Sequence, residues 1–452
     1  MELQNNQAGQ GSPSSLSLKR ILNYWDVVAV MVGIIVGSGI FITPSIIARN
    51  VPSLAGILGL WVAGGLLSLF GAMAYAELGA ALPQTGGHYA FAREAFGPLV
   101  AFLFGWAYLL IGYPCSLAGI AAIFGLYASQ FVPLGEMGIR FTAAGAILLV
   151  AGINYLGVRE SGWVQRVFAY GKVAVLLAIV LAGFLLRRGS LQMGATWGGG
   201  HAPIGAGAIV AALVGVMWTY DGWCDATPVA GEVQRPGRDM GKSLLFGMLA
   251  VIMLYAVVNL AYIYLLPLKR IAASPMVAAD AAEVIFGAAG ASLISALILA
   301  STFGALNGNM IAAPRVYFAM ARDGVFFRKV GQIHPRFGTP HYGILTTLLM
   351  SVLYVLSGTF EQIINYFIFV SWIFYIVNVA GLMVLRRRRP EMPRPFRAWG
   401  YPWTPAFFIL AGIFMLVNIY RENPLSSGAG LVLVLTGVPV YFWWRRRSAV
   451  RG

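Results

Sequence analysis

The sequence predicts an all-α integral membrane protein of about twelve transmembrane helices, a five-plus-five inverted repeat with broken first and sixth helices and a C-terminal helix pair. Three observations carry that expectation. Of the 452 residues, 59% are hydrophobic and only 10% charged, with mean hydropathy +0.76; that is too apolar for a water-soluble fold. Apolar stretches of roughly 18 or more residues, each long enough to cross the hydrocarbon core, recur about a dozen times. The first and sixth of these are interrupted near their middles by poor helix formers.

Taken in order, residues 1–23 are polar and rich in Ser, Gly and Gln. They read as a cytoplasmic tail, not a signal peptide, since the apolar run that follows is too long and lacks a cleavage site. The first span, 24–49, contains Val36-Gly37-Ser38-Gly39-Ile40-Phe41. Backbone at membrane depth stays irregular only where protein shields it or a cavity adjoins it. A helix interrupted there exposes free N–H groups and the positive end of a helix dipole, which suit a carboxylate. Close packing of small residues against another helix is the competing reading. Spans 54–81, 98–130, 140–157 and 163–186 complete a first block, 24–200.

The sixth span, 205–230, repeats the interruption: Trp218-Thr219-Tyr220-Asp221-Gly222-Trp223-Cys224-Asp225-Ala226-Thr227-Pro228. It opens a second block, 201–389, with further spans at 241–267, 288–312, 342–358 and 361–385 and an amphipathic piece at 275–287. Five is odd, so consecutive five-span blocks face opposite ways across the membrane. The two breaks then meet near the midplane, where a solute site is expected. Spans 402–420 and 428–444 form the appended pair, within 390–452.

The net charge of +15 is a topological signal, not a nucleic-acid footprint. Most of the 31 Lys and Arg fall on loops of one side, including Arg386 to Arg389 and Arg445 to Arg447. The other side keeps only Arg49, Arg140, Arg187, Arg188, Lys269, Arg270 and Arg421. The positive-inside rule places both termini in the cytoplasm of a cell (inner) membrane. Both cysteines, Cys115 and Cys224, lie inside spans and away from any extracellular disulfide. The spacing of the four histidines suggests no metal cluster, and no P-loop or nucleophile elbow is found, so neither an enzyme nor a cofactor is expected.

Lys172 stands about ten residues into the fifth span, where a lysine costs several kcal/mol unless paired or solvated. It reads as a coupling residue, either carrying a proton or standing permanently in place of a bound cation; pairing with backbone carbonyls is the structural alternative. Asp221 and Asp225, four apart, can share a helix face. Asp225 is expected to cap the second half of the broken sixth helix, while Asp221 either caps or faces a cationic guest. Trp218, one turn before the break, is a candidate gate, against plain core packing. Glu77, Arg93, Glu232 and Arg315 fall at the inner face, as a salt-bridge gate or as interfacial anchors.

These residues carry a resemblance. Val36 to Phe41, Tyr75-Ala76-Glu77-Leu78-Gly79, Gly86-Gly87-His88-Tyr89 and Arg93-Glu94-Ala95-Phe96-Gly97-Pro98 are followed by Tyr220-Asp221-Gly222-Trp223 and Gly231-Glu232-Val233. Asn307-Gly308, Arg315, Ala321-Arg322-Asp323-Gly324, His334-Pro335-Arg336 and Thr339-Pro340 complete the series in order. Together they resemble the amino acid–polyamine–organocation (APC) superfamily, specifically its L-type amino acid transporter branch. The resemblance implies alternating access on the twelve-span inverted-repeat fold. Its carboxylate site maps onto Gly37, Ser38 and Gly39, with Ile40 beside them. Its amine site maps onto backbone carbonyls around Trp218 to Asp221, with Tyr220 and Gly222 in the same stretch, and its aromatic gate onto Trp218.

The chain departs from that pattern at His88 and at Cys224, which replaces an Asn common in animal members. It has no cysteine near residues 131–139, where animal members bind a disulfide-linked heavy chain, so no such partner is expected. The expected function is secondary active transport of L-amino acids, by exchange or proton symport. A cationic amino acid or polyamine carrier is the runner-up, and a non-transporting amino acid sensor the reading from another class.

Overall fold

A computed structural model describes residues 20, 22–37, 39–83, 86–187, 189, 205–358 and 360–449. The helices follow one another as α1 (Tyr24–Ile35), α2 (Gly39–Asn50), α3 (Leu54–Ala81), α4 (His88–Phe96), α5 (Pro98–Ala107), α6 (Tyr113–Ala128), α7 (Glu136–Leu156) and α8 (Val158–Leu185). After them come α9 (Ala206–Tyr220), α10 (Pro236–Leu265), α11 (Leu268–Ala273), α12 (Val277–Arg322), α13 (His341–Ser357), α14 (Phe360–Arg388), α15 (Trp403–Glu422) and α16 (Pro424–Ala449).

Eight of the described helical stretches are each long and apolar enough to cross a bilayer, counting α5 through α6 as one, and α1 with α2 make a ninth as a pair bent by 43°. Three shorter apolar helices, Tyr170–Leu185, Gly207–Tyr220 and His341–Ser357, lie at the expected fifth, sixth and ninth spans. Lipid offers backbone amides no partner, which is why the described residues are helical almost throughout.

Local chemistry accounts for where elements start and stop. Asn23 caps α1, its side chain accepting from Trp25 N and Asp26 N, while Asp26 accepts from Asn23 N at 3.0 Å; this is a reciprocal capping box. Residues 108–112 between α5 and α6 form one π-turn. Pro114 just beyond it has no N–H to donate, so the regular ladder is interrupted there. Gly287, at φ 70°, separates the amphipathic start of α12 from its spanning part, where 275–287 is expected to stand apart.

Two expectations need correction. The sixth span has no α-helical second half: α9 stops at Tyr220, residues 221–226 are turns, and Thr227–Glu232 is a 3₁₀ helix. Gly222 at φ 103° and Pro228 keep this stretch from rejoining an α-helix. The eighth span does not end at 312, because α12 runs on to Arg322 before the chain turns.

Candidate functional site

The two broken helices meet at their breaks. A Cβ on Gly39 would come within 2.8 Å of Thr219 Cα, and one on Gly222 within 2.5 Å of Ile34 Cγ2. Only glycine permits the N-terminal turn of α2 to rest on the C-terminal turn of α9. The Thr43 and Thr219 hydroxyls, 2.9 Å apart, tie the contact. The carbonyls that the breaks release are answered from outside. Lys172 Nζ donates to Gly33 O at 2.6 Å, and Tyr255 Oη lies 2.7 Å from Ile35 O and 3.2 Å from Thr219 O.

Between the breaks lies a cavity of about 30 Å³, lined by Ile34, Ile35, Gly37, Gly39, Ser116, Ile120, Trp218, Thr219, Asp221 and Asn309. The N-terminal turn of α2 and the C-terminal turn of α9 both border it, and the helix dipoles give one wall a positive and the other a negative character. Ser116 donates to Asn309 Oδ1 at 3.0 Å, and Tyr375 donates to Asp221 Oδ1 at 2.6 Å.

Further along the same α2 and α6 faces, away from the end where α1 starts, opens a vestibule of about 440 Å³ that includes Ile42, Ser45, Ile46, Arg49, Ile123 and Ile363. Trp218 stands between the two spaces. A Cβ on Gly119 would lie 2.9 Å from its ring, and its centroid is 5.2 Å from that of Phe367, edge to face. On the opposite side, where α1 starts, ion pairs close the molecule. Glu232 accepts from Arg315 Nε at 2.8 Å, both side chains being buried. Buried Glu77 accepts from Arg386 at 2.8 and 2.5 Å and from Ala398 N at 2.7 Å. Arg93 and Tyr89 both bind Asp323. Leu22 bridges to Val233, exchanging backbone hydrogen bonds of 2.9 and 2.8 Å with Glu232 and Gln234.

The expected site residues therefore divide. Gly37, Gly39, Trp218 and Asp221 line the cavity. Ser38 lies outside the described residues. Ile40 is buried core, and Tyr220 packs its ring on Trp61 and Tyr255, at 5.8 and 5.1 Å. Gly222 lies behind the cavity wall, against Ile34. Lys172 reaches the break through a hydrogen bond to the Gly33 carbonyl. Asp225 does not cap a helix: the 3₁₀ turn after it carries no side-chain cap, and its carboxylate faces His88 and Tyr113. The four charged residues of the inner face form no single gate, for only Glu232 and Arg315 pair with each other. Ser116, Asn309 and Tyr255 escape the sequence reading, and Thr219 entered it only through its backbone. Two of these, Ser116 and Asn309, carry the ordinary signal of a polar side chain in an apolar span.

A family model described as "Amino acid permease" matches residues 22–440. The chain is similar to the human "Large neutral amino acids transporter small subunit 2", at 31% identity over 98% of this chain and 84% of the relative. It is also similar to the human "b(0,+)-type amino acid transporter 1", at 30% over 95% and 89%, and to the human "Cystine/glutamate transporter", at 32% over 94% and 85%.

Proposed function

Because the chain belongs to the amino acid permease family, within the L-type amino acid transporter branch of the APC superfamily, we propose that it carries L-amino acids across the plasma membrane by alternating access. The observation that carries this reading is the meeting of an α-helix N-terminus and an α-helix C-terminus at one cavity. A zwitterion is the solute whose two charges suit both ends at once. The carboxylate sits at the helix break of Gly37, Ser38 and Gly39, and the ammonium on the backbone carbonyls around Trp218 to Asp221. Two five-span repeats, 24–200 and 201–389, rock about this point, with 390–452 as the appended pair. Both termini face the cytoplasm, so the vestibule opens outward and the ion-paired face inward. Trp218 swings to admit the guest, since the cavity is far below the several hundred Å³ of an open ligand pocket. No disulfide-linked heavy chain takes part.

Counterflow in proteoliposomes tests this. Vesicles preloaded with mixed amino acids should take up labelled alanine or serine, and no uptake with or without internal amino acid would refute it. Uptake that needs internal substrate and ignores a pH gradient makes the protein an exchanger, with Lys172 as a fixed cation. Uptake into empty vesicles that follows the proton gradient, and loses that dependence in Lys172→Ala, makes it a symporter with Lys172 carrying the proton.

A carrier of cationic amino acids is the second reading, favoured by Asp221 in the cavity wall. Asp221→Asn should then lower uptake of labelled arginine at least about tenfold while sparing alanine, an interaction of about 1.4 kcal/mol. Equal loss for both substrates excludes that role.

A further inference from the structure

Beyond the cavity, on the ion-paired side, His88 at the start of α4 meets Cys224 and Asp225 in the turns after α9. A ring nitrogen of His88, the Cys224 sulfur and an Asp225 carboxylate oxygen all lie within 4.8 Å of one another, and all three residues are buried. Nothing in the transport reading uses them.

His88 is fully enclosed, stacked on Phe104 at 5.3 Å with Tyr75 edge-on at 5.1 Å. Among the described residues neither of its ring nitrogens makes a hydrogen bond. Leaving such a group unsatisfied costs about 1–3 kcal/mol, so a buried imidazole of this kind calls for a partner. His88 Nε2 lies 3.6 Å from Asp225 Oδ1. That is too long for a hydrogen bond. It is close to the edge of a coordination tetrahedron, since two ligand atoms about 2.0–2.1 Å from Zn²⁺ stand about 3.4 Å apart. Imidazole, thiolate and carboxylate are together the donor set of a borderline-soft divalent cation. Tyr113 Oη stands 3.5 Å from the same carboxylate oxygen.

We propose that His88, Cys224 and Asp225 form a binding site for a zinc-class divalent cation, which clamps α4 to the segment following α9 and holds the ion-paired face shut. Binding displaces the thiol proton, because the thiolate is the ligand. The cation enters when that face opens and is enclosed when it closes. The coordination stands by itself, and only its inhibitory effect rests on the transport reading.

The test uses Co²⁺ as a visible stand-in, added to the purified, metal-stripped full chain in nanodiscs with alanine present. Wild type should bind one Co²⁺ with a thiolate-to-cobalt charge-transfer band, and Zn²⁺ should displace it. Cys224→Ser should abolish the band, whereas Cys115→Ser, at the other cysteine, should keep it. His88→Gln should weaken binding at least about tenfold, the loss of one ligand costing no less than the loss of its orienting partner. In proteoliposomes, Zn²⁺ should slow exchange by wild type and not by Cys224→Ser. A folded wild type that shows no band, or a band that survives Cys224→Ser, overturns the proposal. Wild type and Cys115→Ser decide it even if the ligand variants do not fold. Bound cobalt without inhibition keeps the site and removes its clamping role.

Discussion

Gly39 shows how much of this site turns on a missing side chain. The N-terminal turn of α2 can present its amides to the cavity only because its first residue has no Cβ to strike Thr219. Gly39→Ala forces two backbones apart and should cost about 1–3 kcal/mol, as overpacking does. The expected result is a lower Tm together with loss of the stabilisation that alanine confers on wild type, read by thermal unfolding in detergent. Gly37→Ala meets nothing nearer than Ile34 O at 3.3 Å, so its effect should be smaller. Gly152→Ala on α7, with nothing within 4 Å, should be neutral or slightly stabilising. Equal losses at Gly39 and Gly152 would remove close approach as the explanation. Lys172 and Tyr255 work at the same scale from the opposite direction, returning hydrogen bonds to carbonyls that the breaks take from the helix.

At the scale of elements, the cavity is bordered by the ends of two broken helices, and different contacts flank it on its two sides. Toward the vestibule the Trp218 ring packs on Gly119 and edge to face on Phe367. Toward the other face, ion pairs join α12 to the segment after α9, α3 to α14, and α4 to the end of α12. Breaking a buried ion pair by removing one charge typically costs about 3–5 kcal/mol. Glu232→Gln, which strands Arg315, should therefore shift the population strongly toward opening of the ion-paired face. A cysteine placed at Ser116, with Cys115 and Cys224 replaced by serine, should react faster with an impermeant thiol reagent added from that face. Unchanged reactivity would make the pair an anchor and not a gate.

At the scale of the whole molecule, hydropathy and charge together set the orientation. The basic clusters at Arg386 to Arg389 and Arg445 to Arg447 should hold both chain ends on one side. Protease treatment of sealed vesicles should spare tags at both ends or remove both. Removal of one alone would contradict an even number of crossings.

How much was legible before folding follows from the reach of each signal. Helices, breaks and charge asymmetry are local in sequence, and lipid converts them into spans almost without choice. Gly37, Gly39, Trp218 and Asp221 stood out because each breaks or adjoins an apolar run, and all four line the cavity. Tyr220 sits in the same run, yet its ring turns away to Trp61; a stretch of turn residues does not reveal which way its side chains point. Ser116 and Asn309 come from α6 and α12, and nothing in the spacing of 193 residues between them announces that they touch. The same holds for His88 beside Cys224 and Asp225, where the order of the histidines suggested no ligand set. Sequence by itself determined a helical membrane chain with two interrupted helices, because backbone in lipid must be hydrogen-bonded within the protein and apolar runs of about twenty residues do so as helices rather than as barrel strands. Which polar side chains answer the freed carbonyls, and which face of each break meets the cavity, only the packing of distant helices decided, because those contacts depend on geometry no local pattern encodes.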